Sequence, residues 1–591
     1  MNRRFVTNAG WAMILVGTVS RLAGPALAAE LTLAREGSSQ YRIVIPAAAS
    51  ETEKRAAAEL QSFLKQISRA ELPVVADDAP RTPHEIILGN NRHLSDLSPP
   101  VDIAALGEEG FVIRTAGTRL VIAGGPVRGT LYGVYGLLED YLGCHWLSST
   151  VSSIPRKDRV VVGAIDDTQV PVLGYREDYY SDAMEPRFAE RNKLNGNASI
   201  IQDGKMAQER HRGWGSWCHT FGLHVPAEKY FKEHPEYFAL VDGKRRPDTQ
   251  LCLTHPEVFR LVVADLKERM SKQPETRYWS VSQNDTGGHC QCPACQAIDT
   301  REGTPMGSLL EFINRVAAAF PDKTISTLSY QYSRRPPKTL RPAGNVLIML
   351  CSIECDRRQP IATDTGSASF RADVEGWSEI SNNVFIWDYV VQFSHLVSPF
   401  PNLRTLQPNM QFFVRHQAKG MFAQGNREAH GEFAELRAYL LAKLMWNPAC
   451  NLDRAIDDFL QGYYGAAAKP MRQYIDLMHD SLERSGVPLQ IFGDPANHRQ
   501  GYLSPERLGR YNAFFDEAER LAANDRDALL RVQTARMPLL YAQLQLRIGD
   551  ADTRRKDAQR LFSTAERVGL RMFNEWNLPT DRYRKQVMDG L

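Results

Sequence analysis

The stretch from Trp279 to Cys295, WSVSQNDTGGHCQCPAC, runs from a short apolar segment into a polar turn holding Asn284, Asp285, His289 and three cysteines. Strand ends that open into such loops are where α/β scaffolds keep their chemistry. Two later segments share the form: NVLIMLCSIECD ends in Glu354 and Asp356, and NVFIWDYVVQF sets Asp388 between Trp387 and Tyr389. Glycosidic cleavage needs one protonated carboxyl at the leaving oxygen and a second carboxylate that stabilises or activates the attacking group. Asp285, Glu354 and Asp388 are therefore candidate catalytic residues, with a helix cap or salt-bridge partner as the other reading of each. A neighbouring carboxylate or apolar enclosure would keep one of them protonated near neutrality.

Trp214, Trp217, His219, Trp279, Tyr330, Trp387 and Tyr389 recur beside these predicted strand ends, and Gln283 and Asn284 offer amides. Flat apolar walls with directional polar groups suit a pyranose ring, while core packing is the alternative for any single aromatic residue. Trp214, Trp217, His219, Asn284, Tyr330, Trp387 and Tyr389 are the substrate-binding candidates. Cys290-x-Cys292-x-x-Cys295, next to His289, has zinc-ligand residue types, but its first spacing is tight and no second ligand pair is evident. A disulfide within this group, or from it to Cys351 or Cys355, competes with a metal. Structural locking by Cys290, Cys292 and Cys295 is expected over thiol catalysis, because no Cys-His-Asn arrangement is visible. No cofactor and no catalytic metal are assigned. The chain lacks GxSxG and HExxH, the easiest serine-hydrolase and zinc-peptidase signals.

The elements that must position these residues fall into four expected stretches. Residues 1–28 read as a signal peptide: MNRRFV, the apolar AGWAMILVG, then Pro25-Ala26-Leu27-Ala28. The apolar run is too short to span a bilayer, so a periplasmic or extracellular protein without membrane insertion is expected. Residues 29–170 read as a small α/β domain, with strands in YRIVIPA and HEIILG, a helix in SETEKRAAAELQSFLKQIS and a hairpin turning at Gly117. The glycines of AGGPVRG match neither nucleotide fingerprint and read as a turn. Residues 171–430 alternate strand-like and helical runs, including TRYWSVSQ, KTISTLSYQ, NVLIMLCS, NVFIWDYV and KGMFAQG. A (β/α)8-like barrel is expected there, with an open doubly wound sheet as the alternative. Residues 431–591 read as a helical domain. Lys plus Arg total 71 against 69 acidic residues, which gives no reason to expect a nucleic-acid partner.

The segments RGTLYGVYGLLEDYLGCHWL, GSWCHTF, HPEYFAL, QLCLTHPEV, SQNDTGGHCQCPACQAIDTREGTPMGSLLEFINRVA, LCSIECD and NVFIWDY resemble bacterial proteins that carry the domain of unknown function DUF4838. Part of that group is classed as a glycoside hydrolase family of endo-β-N-acetylglucosaminidases. The first segment resembles the small domain that precedes the barrels of α-glucuronidases and β-hexosaminidases. The resemblance implies a glycoside hydrolase acting on a glycan or glycoprotein that contains GlcNAc. Substrate-assisted retention would then use Glu354 as acid, Asp285 to orient the acetamide and Asp388 as alternate for either. The segment Cys355-Asp356-Arg357-Arg358 is more charged than its family counterpart. An α-glucuronidase-like exo-enzyme is the alternative, with Arg334, Arg335 or Arg357 on a uronate carboxylate. A noncatalytic carbohydrate-binding protein is the other class.

Overall fold

The computed structural model describes residues 30–591 except 199, 203–204 and 209–210. The expected signal peptide lies outside the described residues. No described helix is long and apolar enough to cross a membrane.

The N-terminal stretch folds as a six-stranded mixed sheet in the order Asp166–Gln169, Phe111–Ala116, Arg119–Gly124, Glu85–Leu88, Arg42–Ile45, Val74–Ala76. Helix Glu51–Ser68 starts at Ser50, whose hydroxyl accepts from Glu53 N–H while the Glu53 carboxylate reaches back to the cap, a reciprocal capping box. It buries Ala57, Leu60, Leu64 and Ile67 against the sheet. The hairpin turns at Gly117, whose φ is +60°. The AGGPVRG glycines serve close backbone packing: a Cβ on Gly124 would lie 2.1 Å from the Gly129 carbonyl carbon.

The central sheet is wholly parallel. Its strands are β1 (Tyr175–Asp178), β2 (Trp214–Ser216), β3 (Tyr278–Ser280), β4 (Thr324–Ser329), β5 (Val346–Cys351), β6 (Val384–Tyr389) and β7 (Ala418–Gln424), in the spatial order β1-β7-β6-β5-β4-β3-β2. All five segments expected as strands from about residue 275 onward are strands, and Met306–Ala318 is the crossover helix between β3 and β4. The expectation of eight strands needs correction. Seven described strands form a curled, barrel-like sheet, and β1 and β2 do not pair. Residues 195–197 occupy the gap instead. Asn195 and Gly196 N–H donate to the Arg176 carbonyl at 3.1 and 2.9 Å, and Arg212 N–H donates to Gly196. The Asn195 side chain accepts from Arg176 N–H at 2.7 Å, and Asn197 both accepts from Asp178 N–H and donates to its carbonyl. Asparagine amides thus satisfy the edge of β1 where a regular ladder would have done so.

From Ala434 the chain is helical, through Ala434–Trp446, Leu452–Tyr464, Ala468–Ser485, Pro505–Ala522, Arg526–Gln545, Ala551–Val568 and Thr580–Asp589. The first of these carries Trp446 into the N-terminal layer, stacked on Phe111 at 5.7 Å. The barrel and the early helices share one continuous apolar core. Between the last two helices the chain turns back toward the barrel: Leu396 N–H bonds the Phe573 carbonyl at 2.9 Å and Glu575 N–H bonds the Phe393 carbonyl at 3.0 Å.

Candidate active site

Parallel strands aim their C-terminal ends at one rim, and a cavity of about 700 Å³ lies there. Its wall includes Asp285 beyond β3, Tyr330 beyond β4, Cys351 and Ile353 at β5, Trp387 and Tyr389 on β6, and Gln424 and Arg427 at β7. His219 comes from the loop after β2, and Phe492, Glu575 and Trp576 come from the helical region.

Asp285 follows two engaged amides. Gln283 is buried, donating to the Tyr330 carbonyl at 3.2 Å and accepting from the Ser333 hydroxyl. Asn284 accepts from Gly222 N–H and donates to the Thr249 carbonyl, while its own N–H reaches Gln250. The Asp285 side chain, 66 % exposed, projects from this tied backbone. Its Oδ1 accepts from the Tyr330 hydroxyl at 3.2 Å and lies 3.7 Å from His219 Nε2. His219 Nδ1 sits 2.7 Å from the Gln283 carbonyl, which can only accept, so Nδ1 carries a proton and Nε2 faces the carboxylate. Burial, with the charge on Asp285 adding to it, raises the Tyr330 pKa and keeps the phenol a donor.

Glu575 is the second carboxyl in the cavity. Burial raises its pKa, Arg427 opposes that, and the charge on Asp285 adds to it, leaving the group above the ordinary carboxylate range. Trp387 Nε1–H donates to Gln424 Oε1 at 2.8 Å, which turns the Gln424 amide N–H₂ toward Glu575 Oε1 at 3.4 Å. Phe492 and Trp576 stack with ring centroids 6.1 Å apart, and Phe393 lies 5.6 Å from Phe492. Phe492 and Trp576 are 52 % and 58 % exposed, which leaves aromatic faces open at the cavity.

Of the sequence-predicted site residues, Asp285, His219, Tyr330, Trp387 and Tyr389 meet in this cavity. Glu354 does not line it; its carboxylate pairs with Arg334 at 2.8 Å, and Arg334 also holds Asp373. Asp388 lies on the opposite pleat of β6 from Trp387 and Tyr389, buried, accepting from the Ser352 hydroxyl and 3.8 Å from Arg357. Trp214 and Trp217, both half-buried, pack against Tyr278 at 5.0 Å and His211 at 3.8 Å respectively, and Asn284 ties loops together. Arg357 is buried and bonded to the carbonyls of Ser352, Cys355 and Tyr389, and Arg334 and Arg335 line a separate cavity. Sequence reasoning missed Gln424, Arg427, Phe492, Glu575 and Trp576. The one local signal for the last pair was the aperiodic FNEWN at the end of the helical run.

These strands, with a polar, aromatic-walled cavity at their C-terminal rim, define a TIM-barrel-like α/β protein. Residues 146–476, more than half of the chain, match the model described as domain of unknown function (DUF4838), and the chain belongs to that family. Residues 34–137 match the glycosyl hydrolase family 67 N-terminus. No curated protein matches the chain. Among solved structures, one described as a family GH115 4-O-methyl-α-glucuronidase, BtGH115A, with specificity for decorated arabinogalactans is 13 % identical. It covers 94 % of this chain and 78 % of its own, at a TM-score of 0.56, so the two share a fold. CpGH84B is 12 % identical over 95 % of this chain and 97 % of its own, at 0.47. A GH138 enzyme targeting pectin rhamnogalacturonan II is 10 % identical over 93 % and 98 %, at 0.40.

Proposed function

We propose that the protein is an exo-acting glycoside hydrolase of the α-glucuronidase-like kind, with Glu575 as general acid and Asp285 as its carboxylate partner. The observation that carries this reading is the meeting, in one aromatic-walled cavity, of Asp285, a carboxyl with a raised pKa at Glu575, and the cation of Arg427. Glu575 donates its proton to the glycosidic oxygen as the bond from the anomeric carbon to that oxygen breaks. Asp285 takes a proton from water as the water oxygen bonds the anomeric carbon, or bonds that carbon itself before water releases the sugar. Arg427 pairs with the carboxylate of a uronic acid, in place of the buried Arg357 or of Arg334 and Arg335 at another cavity. Glu575 is preferred to Glu354 as acid because it lines the cavity, whereas the Glu354 carboxylate is engaged by Arg334 at 2.8 Å. The glucuronidase named above adds support for this substrate class over one containing GlcNAc.

Glucuronic-acid-decorated oligosaccharides, N-glycoproteins and GlcNAc polymers, incubated with the protein and with Asp285→Asn, Glu575→Gln and Arg427→Ala variants, test the proposal by mass spectrometry of the products. Free uronic acid, lost in the carboxylate variants, is expected. Release of an intact glycan would move the chain to the endo-glucosaminidase reading, and binding without product would leave a lectin-like protein.

A further inference from the structure

Four cysteines outside the cavity share one small volume. The Sγ atoms of Cys252, Cys290, Cys292 and Cys295 all lie within 4.8 Å of one another, with Cys252 and Cys292 at 3.6 Å, and all four side chains are buried. Cys252 comes from QLCLTHPEV, well before the other three in sequence. Cys351 and Cys355, the partners considered from sequence, lie elsewhere, Cys351 in the cavity wall. We infer that these four cysteines form a structural zinc site that braces the loop carrying Asp285.

Three observations converge on a metal. Four sulfurs around one centre match a tetrahedral tetrathiolate, whose sulfurs stand about 3.8 Å apart for metal–sulfur bonds of about 2.3 Å. Two disulfides would instead draw the sulfurs into pairs. The surroundings are also those of thiolates: Leu240 N–H points at Cys290 Sγ at 3.4 Å, Arg245 Nη1 lies 3.9 Å from it, and the Thr254 hydroxyl lies 3.2 Å from Cys295 Sγ. Such donors offset the charge of a tetrathiolate site and orient its ligands. Finally, this corner has almost no other core. Its buried cluster is Ala239 with the four cysteines, flanked by half-buried Leu240 and Val241 of a two-stranded hairpin. So small an apolar cluster does not hold a loop by burial alone, and a metal supplies the missing stabilisation.

The position gives the site its consequence. Asp285 precedes Cys290 by five residues, and its neighbour Asn284 is bonded to Thr249 and Gln250, three and two residues before Cys252. A metal joining Cys252 to Cys290, Cys292 and Cys295 therefore closes both ends of the strap that fixes the Asp285 backbone.

Elemental analysis and native mass spectrometry of the full chain, purified without chelator, test this without any substrate. One zinc per chain is expected, lost in Cys252→Ser and Cys295→Ser, with thiolate-to-metal charge-transfer bands on replacement by Co²⁺. If the serine variants do not fold, zinc-edge absorption of the wild-type protein decides, with four sulfur neighbours expected at about 2.3 Å. A metal-free chain with four alkylatable thiols, or disulfides within the group in peptide mapping, would overturn the proposal. Because metal content is read directly, failure of the glycosidase reading leaves this result standing.

Discussion

Glu575 and Asp285 differ in setting more than in chemistry, and the proposed roles rest on that difference. A general acid must hold its proton at working pH, so activity should fall as pH rises through the raised pKa of Glu575. Glu575→Gln should cut kcat by ~10²–10⁴-fold and abolish this alkaline limb; an unchanged limb would exclude Glu575 as the acid. Arg427 lowers the Glu575 pKa in the free protein, so Arg427→Met should move the alkaline limb of kcat/KM upward while raising KM for a uronic-acid substrate. A rise in KM without movement of the limb would confine Arg427 to binding. Trp576 is more than half exposed and stacked on Phe492. Loss of a stacking face of about 0.5–1.5 kcal/mol predicts a roughly two- to tenfold higher KM for Trp576→Ala, measured by initial rates.

The strands make this possible because their alternation sorts side chains by face. On β6, Trp387 and Tyr389 face the cavity and Asp388 the opposite side, a parity already implicit in WDY under a period of two. The open side of the sheet depends on small or amide residues. A Cβ on Gly215 of β2 would lie 2.4 Å from the Trp279 indole of β3. Gly215→Ala should therefore force β2 away from β3 and cost about 1–3 kcal/mol by overpacking. Urea unfolding checks this, and unchanged stability would mean that the indole shifts aside freely.

Across the whole molecule, the N-terminal layer is fastened to the barrel through Glu139. Its buried carboxylate meets Lys443 of the first late helix and Lys193 at 3.5 Å. Burial alone would raise its pKa, but Lys443 and Lys193 outweigh that and hold it well below the usual carboxylate range. With a folded-state pKa below the unfolded one, the linked stability is present above about pH 4.3 and is lost as pH falls from there toward the folded value. Glu139→Gln should cost about 3–5 kcal/mol at neutral pH, because the buried Lys193 and the partly buried Lys443 lose their counter-charge. Denaturant titrations at pH 7 and pH 3 test both points: the variant should be less stable at pH 7, with the gap narrowing at pH 3.

Local sequence carried the motifs that local physics controls. Apolar runs ending in polar turns marked five of the seven strands, the run SETEKRAAAELQSFLKQIS marked its helix, and the strand-end loops marked Asp285, Tyr330, Trp387 and Tyr389 as neighbours of a cavity. β1 and β2 escaped because YRED and WGS are too short and too polar to show a strand period. Glu575, Trp576 and Cys252 escaped for a different reason. Glu575 reaches Gln424 across 151 residues and Cys252 reaches Cys292 across 40, and no periodicity within a window records which distant segment folds back onto a loop. Asp388 and Glu354 carry the same chemistry as Asp285, yet burial beside Arg357 and an ion pair with Arg334 set them apart from the cavity. Residue type sets what a carboxyl can do; the packing around it sets its charge, its exposure and which neighbours it meets.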